Sequence, residues 1–205
     1  MTKGKGRLES FSDCVFSFAL TLLVLEFQIP NPDASTTNQV LGNNLLALWP
    51  SFVAFGMSFV VVLIMWINHH ELIRLARKLD YPLLYTNGGA LLTVTFMPFP
   101  TKVLARYIST DAANTSAAFY CGTFFVTSLL WGALAMAIIW KRRLVKPEIS
   151  DATLAGIRRA YVGAPFVYAL STVLALWSAA VGLALCMSLW LVWTRLCYGT
   201  WQIDS

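Results

Sequence analysis

Few residues in this chain combine a reactive side chain with a spacing that could serve chemistry. The most informative is Asp13, which follows Arg7, Phe11 and Ser12 at the start of a long apolar run. A carboxylate on a membrane helix costs about 2.5–3.5 kcal/mol at mid-bilayer and less near the interface, so it demands partners. Two readings stay open: Asp13 belongs to a buried hydrogen-bond network that locks neighbouring helices, or it relays protons or ligates ions. Ser12, Arg7, His69, His70 and Asn87 are the polar groups expected at a similar depth. The pair His69-His70 invites a metal reading. Adjacent helical residues diverge by about 100°, however, and no Cys or acid stands at supporting ligand spacing, so neither a metal nor a cofactor is expected. Glu26, between Leu25 and Phe27, either draws cations toward a mouth or simply meets water. Cys14, Cys121, Cys186 and Cys197 are scattered and read as structural thiols. There is no Ser-His-Asp order, HExxH, paired intramembrane acid or phosphate loop, so an enzyme is not expected.

The elements that position these residues follow from composition. The 205 residues are 58% hydrophobic and 12% charged, against about 45–50% and 25% in soluble domains. A soluble fold of this size could not hide so much apolar surface, so lipid must cover part of it. Lys3, Lys5 and Arg7 before the first apolar run suggest a signal peptide, yet Asp13 and Glu26 interrupt that run and no small-residue cleavage site follows. A retained helix is therefore expected. A crossing needs roughly 20 apolar residues. The chain then reads as an all-α membrane protein, one domain over residues 1–205, with spans at 11–29, 48–67, 83–104, 117–140, 160–177 and 180–195. Pro98 and Pro100 near the end of the third are placed to kink or break it. The stretch 160–194 is too long for one crossing and is expected to turn near Ser178-Ala179 or Gly182. With six spans and the N-terminus in the cytoplasm, all of the 15 Lys and Arg residues except Lys102 and Arg106 fall on the cytoplasmic side. That asymmetry supports the even count, both termini cytoplasmic, and a topological rather than nucleic-acid role for the net charge of +5.

Placed at 100° per residue, Cys14, Phe18, Thr21, Leu22 and Leu25 share an arc of roughly 100° on the first helix, and Arg7 projects onto it. Ser12 and Asp13 lie on either side, each about 130° from its centre. The stripe and the acid must face different neighbours. By itself such a stripe is either packing, lipid contact or a pore lining.

The segment Arg7-Leu8-Glu9-Ser10-Phe11-Ser12-Asp13 reads RxxxFSD at the start of the first span. With its continuation Thr21-Leu22-Leu23-Val24-Leu25-Glu26 and Pro30, it resembles the transmembrane protein 175 family in its single-repeat prokaryotic form. Trp66-Ile67-Asn68-His69-His70 and Pro98-Phe99-Pro100-Thr101-Lys102 are similar to that family as well. The resemblance implies a homotetramer of six-span subunits in a bacterial plasma membrane, conducting K⁺ in preference to Na⁺ without a carbonyl filter. It further implies that the first helices line the pore, with Phe18 as the constriction, Leu22 and Leu25 as further hydrophobic layers and Thr21 as a pore-side hydroxyl. Phe18 departs from the usual Ile or Leu, so it either narrows the pore or hands the constriction to Leu22 or Leu25. Arg7, Phe11, Ser12 and Asp13, with His69 or His70, are expected in an interhelical network. A proton-coupled transporter or proton-permeable channel using Asp13 and a histidine is the alternative, and a structural membrane subunit is a third.

Overall fold

At membrane depth no water bonds the backbone, so a chain this apolar must satisfy its N–H and C=O groups within helices. A computed structural model describes residues 2–32, 37–142 and 144–201, and almost all of them are helical. In order they form α1 (Thr2–Leu22), α2 (Asn38–Ala47), α3 (Trp49–Leu75), α4 (Tyr81–Phe96), α5 (Pro98–Tyr107), α6 (Ala113–Ile139), α7 (Asp151–Trp177) and α8 (Ala179–Trp201), with 3-10 turns at Leu23–Glu26 and Trp140–Arg142. Asp33 and Arg143, and the side chains of Lys3, Glu26, Lys141 and Cys197, lie outside the described residues.

Four of these segments, Gly4–Leu25, Trp49–Leu75, Ala113–Ile139 and Asp151–Trp177, are long and apolar enough to cross a bilayer, and Ala179–Arg195 is a shorter apolar stretch. Contacts run in opposite directions along each successive pair. Asp13 meets Trp66 and Phe27 meets Phe52 between α1 and α3. His69 meets Asn87 and Ser58 meets Thr101 between α3 and the α4–α5 pair. Phe124 meets Tyr168 and Asn114 meets Trp177 between α6 and α7. The result is an antiparallel, up-and-down set of passages with α6 near its centre, where Tyr120, Leu134 and Ile138 are fully buried. Outside it runs a belt of exposed Val, Leu and Phe, such as Leu92, Val126, Phe166 and Leu170, which is the surface that lipid covers.

Local chemistry explains where the helices start and stop. Asp80 caps α4 by accepting from the Leu83 N–H at 3.0 Å, and Ser150 caps α7 by accepting from the Thr153 N–H at 3.1 Å. That cap starts α7 nine residues before the apolar run does. The third expected span is two helices. Pro98 has no N–H to give Val94, so the Met97 N–H takes the Val94 carbonyl instead, at 3.2 Å, and the chain breaks there. The last apolar stretch divides at Ser178, and α8 folds back on α7 with the Ser171 hydroxyl donating to the Gly182 carbonyl at 2.7 Å. A Cβ on Gly182 would stand 2.4 Å from that of Ala175, so only glycine allows this approach. The polar stretch after the first span contains α2, a helix without a buried residue, which apolar run length alone does not reveal.

α3 continues past His70 to Leu75, where the Lys5 ammonium donates to the carbonyls of Ala76 at 3.0 Å and Arg74 at 3.4 Å. Close by, the Arg77 N–H bonds the Leu144 carbonyl at 2.7 Å and the Lys146 N–H bonds that of Leu75 at 3.0 Å. Arg142 pairs with Asp151 across the same turn. Basic residues of α1, of the end of α3 and of the α6–α7 connection thus meet at one end of the bundle.

Candidate ion pathway and the network that holds its helix

α1 has two unlike faces. Ser12, Phe16, Ala19 and Leu23 recur at intervals of four, three and four and are buried, which is the repeat of a ridge packed against neighbours. Phe16 lies against the His69 ring at 5.4 Å and edge-on to Trp131 at 6.4 Å. The opposite face is uncovered. Phe18 is 69% exposed, Leu25 66% and Leu22 43%, and Cys14 and Thr21 are exposed beside them. The stripe read from periodicity is therefore the face of α1 that its own subunit leaves free. Leu25 belongs to the 3-10 turn rather than to α1, so its direction follows a three-residue turn there. The Thr21 hydroxyl donates to the Phe18 carbonyl at 2.9 Å, which leaves its lone pairs directed outward.

Two polar ties fasten the buried face. In the first, His69 Nε2–H donates to Asn87 Oδ1 at 2.7 Å, and Asn87 Nδ2–H donates to Ser12 Oγ at 3.3 Å. All three residues are at least 98% buried, and they join α3, α4 and α1. In the second, Trp66 Nε1–H donates to Asp13 Oδ1 at 2.8 Å. Asp13 and His69 thus belong to parallel ties, with no hydrogen bond between them among those of the described residues. His70 is exposed, its ring 6.4 Å from that of Trp66. Phe11, 61% exposed, and Arg7 lie on the stripe's side of α1, away from the network.

The sequence reading missed Trp66 as the partner of Asp13, although a carboxylate on a membrane helix calls for a donor and indole carries one. It also missed Trp131, which packs edge-on to His69 at 6.1 Å and donates to Thr93 Oγ1 at 3.2 Å. Trp66 stands in the segment that resembles the family, but nothing in the sequence pairs it with Asp13 or Trp131 with His69, because each acts from a different helix. Among the described residues no three His, Cys, Asp or Glu side chains converge to hold a metal.

A first helix bonded along one face, with an apolar stripe and a hydroxyl turned outward, belongs to a multi-pass helical membrane protein whose own chain leaves that stripe uncovered. Residues 7–98 match the family described as endosomal/lysosomal potassium channel TMEM175. A potassium channel of Chamaesiphon minutus is 35% identical over 184 residues, 90% of each chain, and one of Streptomyces collinus is 34% identical over 180 residues, 87% of this chain and 86% of that one. The crystal structure of a lysosomal potassium-selective channel TMEM175 homologue from Chamaesiphon minutus superposes with a TM-score of 0.82 at 33% identity, covering 95% of this chain and 98% of that one. The chain belongs to the TMEM175 family, and is accordingly an integral membrane ion channel rather than an enzyme.

Proposed function

We propose that the chain forms a potassium-permeable channel with a modest preference for K⁺ over Na⁺, assembled as a homotetramer around α1. The observation that carries this reading is the uncovered stripe of Phe18, Thr21, Leu22 and Leu25 on a helix fastened elsewhere by the buried Ser12–Asn87–His69 bonds and by the Asp13–Trp66 bond. Four such stripes turned inward form stacked apolar rings. A narrow apolar ring strips part of an ion's hydration shell, and the barrier rises with hydration strength. Na⁺ holds water more tightly than K⁺ and faces the higher barrier, while Thr21 oxygens compensate only in part. Selectivity is therefore modest, and Phe18, the bulkiest member, forms the narrowest layer. The six antiparallel passages cross the membrane, and the basic end of the bundle faces the cytoplasm.

The test is ion flux in liposomes containing purified protein under an outward K⁺ gradient, comparing K⁺, Na⁺, Cs⁺ and H⁺. Phe18→Ala and Leu22→Ala should raise conductance and weaken K⁺ over Na⁺. Unchanged flux in both removes these residues as the barrier. A second reading, proton permeation, draws on the animal relatives, which are named endosomal/lysosomal proton channels; H⁺ flux that Asp13→Asn abolishes while the oligomer stays intact would favour it.

A further inference from the structure

Behind the α1 network lies a cavity of about 50 Å³ between α3, α6, α7 and α8. Its walls are mostly apolar, including Val61, Met65 and Phe124, but several polar side chains line it as well, among them Asn68, Thr127, Ser128 and Tyr168. The Thr127 hydroxyl is buried there and has no hydrogen-bond partner among the described residues. An orphaned buried hydroxyl costs about 1–3 kcal/mol, and at membrane depth no solvent offsets it.

The surrounding groups have capacity to spare. Trp193 Nε1–H donates to the Tyr168 hydroxyl oxygen at 3.2 Å, so the Tyr168 proton still needs an acceptor. Ser128 donates to the Phe125 carbonyl at 2.7 Å and keeps lone pairs. Asn68 donates to the Ile64 carbonyl at 2.8 Å through one amide hydrogen and keeps its carbonyl oxygen. A molecule able to accept from Tyr168 and donate to two or three oxygens matches this set. The space holds roughly one or two water molecules at their liquid volume of ~30 Å³ each, and is smaller than the ~150 Å³ apolar cavity that takes benzene.

We propose that this cavity is a structural water site centred on Thr127. The water ties α3, α6 and α7 together at one level. Trp131 also lines the cavity, and its ring packs against His69 at 6.1 Å and Phe16 at 6.4 Å. Hydration of the site thereby sets the position of the wall against which the α1 network rests.

Radiolytic labelling in oxygen-18 water tests this on the intact protein in lipid, because a bound water activated beside a buried side chain leaves its oxygen there. Tyr168 and Met65 should be labelled despite their burial. Thr127→Val, which keeps the shape and removes the hydroxyl, should bring that labelling to background, while Thr127→Ser retains it. The Thr127→Val melting temperature should fall by several degrees. Absence of label at Tyr168 and Met65 in the unmodified protein overturns the proposal whether or not the variant folds. So does a Thr127→Val protein that labels unchanged, or that melts higher because a bare orphan has been removed.

Discussion

If the Ser12–Asn87–His69 chain holds α1 in place, Asn87 is the residue whose loss the fold should feel most. Its side chain accepts from His69 at 2.7 Å and donates to Ser12 at 3.3 Å, with all three residues essentially sealed from the exterior. Asn87→Ala removes both bonds at once. Interhelical hydrogen bonds in membranes average about 0.6 kcal/mol, and the His69 N–H left without an acceptor adds a penalty of about 1–3 kcal/mol. The expected loss is about 2–4 kcal/mol, which for a chain of this size lowers the melting temperature by roughly 4–16 °C. Thermal denaturation of the detergent-solubilised protein, followed by fluorescence-detected gel filtration, measures it. Ser12→Ala should cost less, about 1 kcal/mol, since it removes one bond and leaves a single amide hydrogen unpaired. His70→Ala, on the exposed side, should stay within ~0.5 kcal/mol of the parent. An Asn87→Ala protein that melts with the parent, or no lower than His70→Ala, refutes the idea that this chain fastens the helix.

Other outcomes follow from the same geometry. Trp66→Phe should destabilise by about 1 kcal/mol through loss of the N–H to Asp13, and Asp13→Asn, which keeps an acceptor oxygen, should be milder than Asp13→Ala in the same melting assay. Gly182→Ala should cost about 1–3 kcal/mol or more, because its Cβ would fall 2.4 Å from that of Ala175 and 2.6 Å from the Ala175 Cα; Gly163→Ala, with open space around it, should be neutral or slightly stabilising. Thr101→Val should lower the melting temperature by several degrees, since Thr101 accepts from Ser58 at 2.6 Å and donates to the Met97 carbonyl at 2.8 Å beside the Pro98 break.

Much of this architecture was readable without coordinates, for reasons that are local. Helical passages follow from an apolar chain with few charges, the break near Pro98 from a missing N–H, and the reversal at Ser178 from a run too long for one crossing. The stripe through Phe18, Thr21, Leu22 and Leu25 needed only the helical repeat, and the family motif only the order of its residues. What could not be read is which groups meet. Asp13 bonds Trp66 and not a histidine, His69 bonds Asn87, and His70 faces outward, because the axial register of antiparallel helices decides which side chains share a level. The helix α2 escaped notice because its ten residues, with Asn38, Asn43 and Asn44 among them, are too short and too interrupted to read as a crossing.

The order of the residues was therefore sufficient to set the main helical passages, the membrane character and the division of α1 into two faces, since each depends on neighbours within a turn or two. The fold alone decided the hydrogen-bond partners, the glycine-dependent closeness of α7 and α8, and the cavity at Thr127. Those depend on how far one helix slides and turns against another, and that offset is a sum over many packing contacts rather than a property of any one segment.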